Sequence, residues 1–158
     1  MSGNKRRITP NTYVVVKNGF DGVLVYKNKR TGEVFIWNEL GDELDIQVSD
    51  LKTAKSSSKK FFENNWFVFD DEDIIKYLGV ERYYENALDI DDVEDFLNKP
   101  EEEVTSRIKN MSNGQKKTLS YRVKAMVNEG EIDSVKTITM LEEQLGVRLL
   151  SDDMEIKI

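Results

Sequence analysis

The sequence predicts an α+β protein, in which a small β module, either barrel-like in the manner of an SH3 domain or a bent sheet, precedes a helical domain. Up to Phe69, short runs of β-branched and aromatic residues recur, as they do in strands. After the acidic run at residues 70–73, apolar residues recur at helical spacing instead. A chain of 158 residues is long enough for both parts to have cores.

This change of pattern divides the chain into four expected segments. They are a flexible basic N-terminus (1–7), a β-rich module (8–69), an α-helical domain (70–150) and a C-terminal tail (151–158).

Five strands are predicted in the β module, at residues 12–16, 22–26, 33–37, 43–48 and 66–69. The second and third flank a polar segment ending in Gly32, which favours a hairpin because glycine readily adopts positive φ. Between the fourth and fifth, Ser49 or Asp50 is placed to cap a helix that begins before Leu51. Five strands this short favour closure into a barrel, since closure conceals their edges.

Helix ends are marked most clearly in the second half of the chain. Gly79 and Gly146 stand where C-caps belong, and Pro100 is expected at the first position of a helix. Ser112 and Gln115 have the spacing of a capping box. The last helix is predicted to begin at Asp133; its inward apolar residues would be Val135, Ile138, Leu141 and Leu145.

Composition excludes several kinds of chemistry. The chain has no cysteine, so it cannot form disulfides or use thiolate ligands and nucleophiles. It has no histidine either, which removes the commonest general base and the commonest transition-metal ligand. We therefore expect no catalytic, cofactor-binding or metal-binding residues, and a protein that is not an enzyme.

Two acidic clusters, at residues 70–73 and 89–92, have two interpretations. Carboxylates could gather around Mg²⁺ or Ca²⁺, or they could cap helices. An EF-hand counted from Asp89 fails, because Glu94 and Pro100 occupy the positions that require glycine and glutamate. Helix capping is the favoured interpretation.

The charge is unevenly distributed. Residues 1–69 contain 11 Lys+Arg and 8 Asp+Glu, whereas the remainder carries a net charge of -10. The β module is therefore the half suited to an anionic partner. Its candidate partner or anion contacts are Arg6, Arg7, Lys27, Lys29, Arg30, Lys55, Lys59 and Lys60.

The opposing interpretation treats those cations as solubilising and the nearby aromatic residues Tyr26 and Trp37 as core. It is favoured because acidic residues such as Glu39 and Asp42 interrupt the basic track. No apolar run approaches the roughly 20 residues of a membrane-spanning helix, so we expect a soluble, unexported chain with no membrane partner.

Residues 55–66, KSSSKKFFENNW, and the segment from Met111 to Asp133 resemble poorly characterised proteins encoded among the structural genes of tailed bacteriophages. The resemblance implies a virion or virion-assembly role, and transfers no catalytic residue.

The expected function is that of a non-enzymatic phage structural or assembly protein. It would dock to capsid, neck or tail proteins in multiple copies, in the virion or the cytoplasm of the infected host cell. The alternative is a small phage or bacterial regulatory protein that binds nucleic acid, or inhibits a host enzyme, through the basic face of the β module.

Overall fold

The computed structural model describes residues 7–150, apart from the side chain of Ile90. Contacts divide the chain into two compact units, one ending at Ala87 and the other beginning at Leu88. The expected boundary was at residues 69 and 70. The structure differs because residues just after that point bury their side chains in the first unit. The predicted N-terminal segment, except Arg7, and the tail lie outside the described residues.

The first unit contains five strands and four helices. The strands are β1 (Tyr13–Asn18), β2 (Leu24–Lys27), β3 (Val34–Trp37), β4 (Glu43–Gln47) and β5 (Phe67–Val68). The helices are α1 (Val48–Ser57), α2 (Lys60–Glu63), α3 (Glu72–Leu78) and α4 (Glu81–Tyr84). All five predicted strands are present. The predicted helix begins at Val48, and neither Ser49 nor Asp50 is its N-cap; Gln47 occupies that position.

The strands form two small antiparallel sheets. One has the order β4-β1-β5, and the other is the hairpin of β2 and β3. Within residues 7–150 the strands do not close into a barrel, so the coarse α+β prediction is confirmed whereas the SH3-like barrel is not seen. Closure would require ladder hydrogen bonds from the hairpin to its neighbours. The structure instead joins the sheets through side chains: Trp37 Nε1 donates to the Val16 carbonyl at 2.9 Å.

Aromatic residues pack against one another within the core of the first unit. Tyr26 meets Phe61 and Phe67 edge-on, with ring centroids 5.3 and 5.7 Å apart. Such edge-to-face pairs are favourable beyond the apolar area that they bury. The inward residues of both sheets and of α1 and α2 therefore share one core.

Helices α3 and α4 belong to this unit. Ile74, Leu78 and Val80 are buried in its core. Asp71 caps α3 by accepting a hydrogen bond from the Ile74 amide at 3.2 Å. Gly79 ends the helix with φ 70°, as predicted.

A close backbone approach joins β1 to the segment before β5. The Gly19 amide donates to the Trp66 carbonyl at 2.8 Å. A Cβ atom at residue 19 would collide with the carbonyl of Asn65 and would lie 2.6 Å from Val68 Cγ2. Only glycine fits this contact.

The second unit is helical. A short 3-10 turn, Ile90–Asp92, precedes α5 (Val93–Leu97), α6 (Glu101–Lys109), α7 (Asn113–Asn128) and α8 (Val135–Leu145). Its core contains Val93, Phe96, Val104, Ile108, Met111, Leu119, Val123, Met126, Ile132, Ile138, Leu141 and Leu149.

Local sequence rules predicted two of the helix ends in this unit. Ser112 caps α7 by accepting from the Gln115 amide at 3.1 Å, and Gly146 ends α8 with φ 68°. Pro100 is the N-cap of α6 and not its first helical residue as predicted, so the helix begins one residue later, at Glu101. The start of α8 was wrong: Ser134 is its cap and Val135, predicted to be inward, is 72% exposed.

Candidate docking surface

The candidate site is the outer surface of the β2–β3 hairpin. Val25 pairs with Ile36 across the two strands, with Leu24 opposite Trp37 and Tyr26 opposite Phe35. Side chains alternate between the two faces of a strand, so Leu24, Tyr26 and Trp37 point into the core. Their neighbours in sequence point outward.

Four of those outward residues are β-branched and apolar. Val23, Val25, Val34 and Ile36 are 57%, 49%, 49% and 50% exposed, and we call these four side chains the hairpin face. Strands β2 and β3 pair only with each other among the strands of residues 7–150. Apolar side chains that share one exposed surface, unlike ones scattered singly, are candidates for a contact site.

Strand β4 provides a contrast. Its outward residues Glu43 and Asp45 are charged and exposed, as expected for a strand with one solvated face. Opposite Asp45 on β1, Val15 is 51% exposed, with Tyr13 beside it. This pair is a smaller apolar surface in the other sheet.

The hairpin turn is organised by the buried residue Asn28. Its side-chain oxygen accepts from the amides of Arg30 and Thr31 at 2.8 and 3.1 Å. Its Nδ2 donates to Asp50 Oδ1 at 2.5 Å, so the turn is fastened to the first turn of α1. Asp50 is also buried, and this contact supplies its carboxylate with a donor.

The core behind the hairpin face contains one unsatisfied hydroxyl. Tyr26 Oη is buried without a hydrogen-bond partner. The nearby Ser57 hydroxyl donates to the Thr53 carbonyl at 2.7 Å. Burial, reinforced by the negative charge of Asp50, raises the pKa of Tyr26 to about 12.

The predicted cations do not form one surface. Lys27, Lys29 and Arg30 are exposed together at the hairpin turn. Lys59 and Lys60 are exposed at the start of α2, and Arg7 is exposed near the beginning of the described chain. Arg6 lies outside the described residues.

Lys55 has a structural contact. Its Nζ donates to the Leu78 carbonyl at 2.6 Å, at the C-terminal end of α3. A cation at that position complements the negative end of the helix dipole. Lys55 is therefore a helix-capping residue in this structure.

The acidic clusters also contain helix caps. Asp71 caps α3, and Asp89 accepts from the Asp91 amide at 2.9 Å. Within residues 7–150, no three or more acidic side chains are grouped so as to hold a metal ion.

The hairpin face is the surface that sequence reasoning missed. The runs Val23-Leu24-Val25-Tyr26 and Val34-Phe35-Ile36-Trp37 were interpreted as strands, without a partner for their second face. A usable signal was present, because strands that are apolar without alternation are typically covered on both faces.

Over residues 7–150, every helix is too short or too polar to cross a lipid bilayer. No protein-family model, curated protein or solved structure matches this chain, so its proposed function depends on the geometry of the hairpin and on the sequence resemblance.

Proposed function

We propose that this chain is a non-enzymatic docking protein that binds other proteins through the hairpin face. The observation that carries the proposal is the exposure of four β-branched side chains on one surface of a two-stranded sheet. Covering them removes apolar area from water, which stabilises a complex by about 25 cal/mol per Å². The core residues behind the face hold it in a fixed conformation, which lowers the entropic cost of binding.

The proposed setting is a tailed bacteriophage. The resemblance of residues 55–66 and 111–133 to proteins of phage structural regions supports a virion or assembly component, present in the particle or in the cytoplasm of the infected cell. Its partners would be capsid, neck or tail proteins in repeated copies. Weak contacts suffice in such an array, because multivalency multiplies them.

Mass spectrometry of purified particles from a phage that encodes the chain tests this role. Peptides of the chain are expected in mature virions. A variant with Val25→Lys and Ile36→Lys is expected to fold but to be depleted from particles, because two buried charges would oppose docking. The matched control is Val15→Lys on β1, which should be retained. Absence of the wild-type chain from virions would contradict a structural role.

The second candidate is a regulatory protein that binds nucleic acid. Its support is the exposure of Lys27, Lys29 and Arg30 on a single turn. A titration with duplex and single-stranded DNA at two salt concentrations separates the candidates. If the chain binds phosphates, its affinity for DNA must fall steeply as salt rises. The double variant Lys29→Ala with Arg30→Ala must then bind DNA more weakly than wild type at either salt concentration. Docking through the hairpin face predicts little binding in either titration.

A further inference from the structure

We infer that the hairpin face docks onto the same face of a second copy of this chain. In this dimer the two hairpins pack face to face and run in opposite directions, so that the turn of one lies over the base of the other. The inference rests on the proposed docking function and names its partner. The distribution of charge and of apolar side chains along the hairpin supports it.

The turn of the hairpin is cationic. Lys27, Lys29 and Arg30 are exposed there, against one exposed carboxylate, Glu33. Lys27 lies directly opposite Val34, and Lys29 and Arg30 follow in the turn, so the cations lie at one end of the hairpin face.

The opposite end, the base of the hairpin, is acidic. Asp21 and Glu39 are exposed beside Val23 and Asn38, and Asp42 lies close by, its carboxylate accepting from the amides of Asn38 and Glu39 at 3.1 and 3.0 Å. The sequence has no lysine or arginine from residue 18 to 26 or from 31 to 51. The hairpin face therefore lies between a positive and a negative end.

This polarity selects one orientation. A two-fold axis along the strands would place turn against turn and base against base, so that like charges face each other at both ends. An axis across the strands places each turn against the partner's base, which pairs opposite charges twice. Only the second arrangement makes the surface complementary to itself.

The apolar side chains tolerate the same reversal. Val25 and Ile36 form the central pair, Val34 lies opposite Lys27 on the side of the turn, and Val23 lies on the side of the base. Reversal about an axis across the strands places Val25 over the partner's Val25 and Ile36 over the partner's Ile36, so the central apolar pair is covered, and Val23 lies over the partner's Lys27.

Four half-exposed side chains form only a small patch compared with the roughly 800 Å² per partner of a standard stable interface. The contact is therefore expected to give a weak dimer whose population depends on concentration.

The first experiment is sedimentation of the full chain from about 1 µM to about 500 µM, a range that brackets weak association. Wild type is expected to shift from monomer to dimer. Val25→Thr with Ile36→Thr keeps the β-branched shape and is expected to weaken association about tenfold, since it removes apolar surface. Val15→Thr on β1, at a position that is 51% exposed, is the matched control, and circular dichroism checks that each variant is folded.

The second experiment reverses the charges. Lys29→Glu with Arg30→Glu, or Asp21→Lys with Glu39→Lys, is expected to raise the dissociation constant about tenfold because like charges then meet. The variant carrying all four changes is expected to return to within about threefold of wild type. This recovery is specific to an arrangement of turn against base, because removing a merely local interaction twice would not restore affinity.

A wild-type chain that stays monomeric at the highest concentration would overturn the inference, as would a dimer unaffected by the threonine changes. Failure of the fourfold charge variant to recover would also overturn it. These outcomes are separable from the proposed function. A monomeric chain whose hairpin variant is still lost from particles refutes only self-docking, and a dimeric chain absent from virions refutes only the virion role.

Discussion

Asn28 is the residue on which the hairpin turn depends. Its side chain is a donor to buried Asp50 and an acceptor for two turn amides. Asn28→Ala removes these bonds and leaves a buried carboxylate without this donor, so we expect a loss of about 2 to 3 kcal/mol in the free energy of unfolding.

Tryptophan fluorescence during urea unfolding measures this loss, because Trp37 and Trp66, the only tryptophans in the chain, both lie in the first unit. Asn38→Ala, an exposed asparagine at the other end of the hairpin, is the control. A change of less than about 0.5 kcal/mol at Asn28 would contradict the role assigned to its side chain.

Tyr26 presents the reverse case, a buried hydroxyl that makes no hydrogen bond. Tyr26→Phe removes an unsatisfied polar group without creating a cavity, so at neutral pH it should leave the stability unchanged or raise it by up to about 1 kcal/mol. Tyr13→Phe, at a position that is 60% exposed, should have no effect. Urea unfolding followed by tryptophan fluorescence measures the stability of both variants. Clear destabilisation by Tyr26→Phe would show that the Tyr26 hydroxyl does have a hydrogen-bond partner.

Alkaline pH should increase the difference in stability between wild type and Tyr26→Phe. Burial raises the pKa of Tyr26 from 10.0 to about 12 in the folded state. The neutral hydroxyl is thus favoured by folding; this contribution is complete below pH 10 and is lost as the pH rises through about 12. The stability of Tyr26→Phe relative to wild type should therefore increase above pH 10, as measured by urea unfolding at stepped pH. A constant difference would argue against the raised pKa.

At the scale of single residues, the sequence predicted roles that depend on neighbours in the chain and missed roles that depend on distant ones. Lys55 was grouped with the exposed cations because it shares a Lys-Ser-rich segment with Lys59 and Lys60, yet its partner, the Leu78 carbonyl, is 23 residues away. No local pattern encodes such a contact. Asp71 and Ser112 act within four residues of their own positions, and their capping roles were predictable.

At the scale of elements, Lys55 connects α1 to the end of α3. Lys55→Met keeps much of the aliphatic stem but loses the charged hydrogen bond to the Leu78 carbonyl, so the free energy of unfolding should fall by about 1 to 2 kcal/mol. Lys59→Met, an exposed lysine on the adjoining segment, should change it by less than about 0.5 kcal/mol. Tryptophan fluorescence in urea compares the two variants. Equal effects would mean that Lys55 is not a cap.

The strands were predictable as elements because their apolar runs are local, and so was the β2–β3 hairpin, whereas the pairing of β1 with β4 and β5 was not. The barrel was inferred from strand number and length, but closure depends on which distant edges meet. The start of α1 shows the same limit. The Ser49 amide donates to the Pro10 carbonyl at 2.9 Å, so a contact from 39 residues away replaces the expected side-chain cap.

At the scale of the whole molecule, the division after Ala87 makes a prediction about fragments. Residues 1–87 contain Ile74, Leu78 and Val80, which the first core buries, whereas a fragment that ends at residue 69 lacks them. We expect the longer fragment to fold with cooperative urea unfolding and buried tryptophan emission, because its core is complete. The shorter one should show red-shifted emission. If both fold equally well, the two helices after residue 70 are not needed by the first core.

The change of residue pattern at residues 70–73 correctly marked a change of secondary structure, because helices follow it. It is not where the compact units divide, since the first two of those helices complete the core of the β module. Periodicity reports the type of an element, whereas the core that buries it depends on contacts that periodicity does not describe.

The close approach at Gly19 has a consequence for the way this chain can vary. The space beside the Asn65 carbonyl accepts a hydrogen atom and nothing larger, whereas Gly32 and Gly41 have open space around them despite their positive φ. In a saturation library of the gene, codon 19 should therefore admit no replacement without separating β1 from β5. Codons 32 and 41 should accept asparagine, the side chain most tolerant of left-handed backbone.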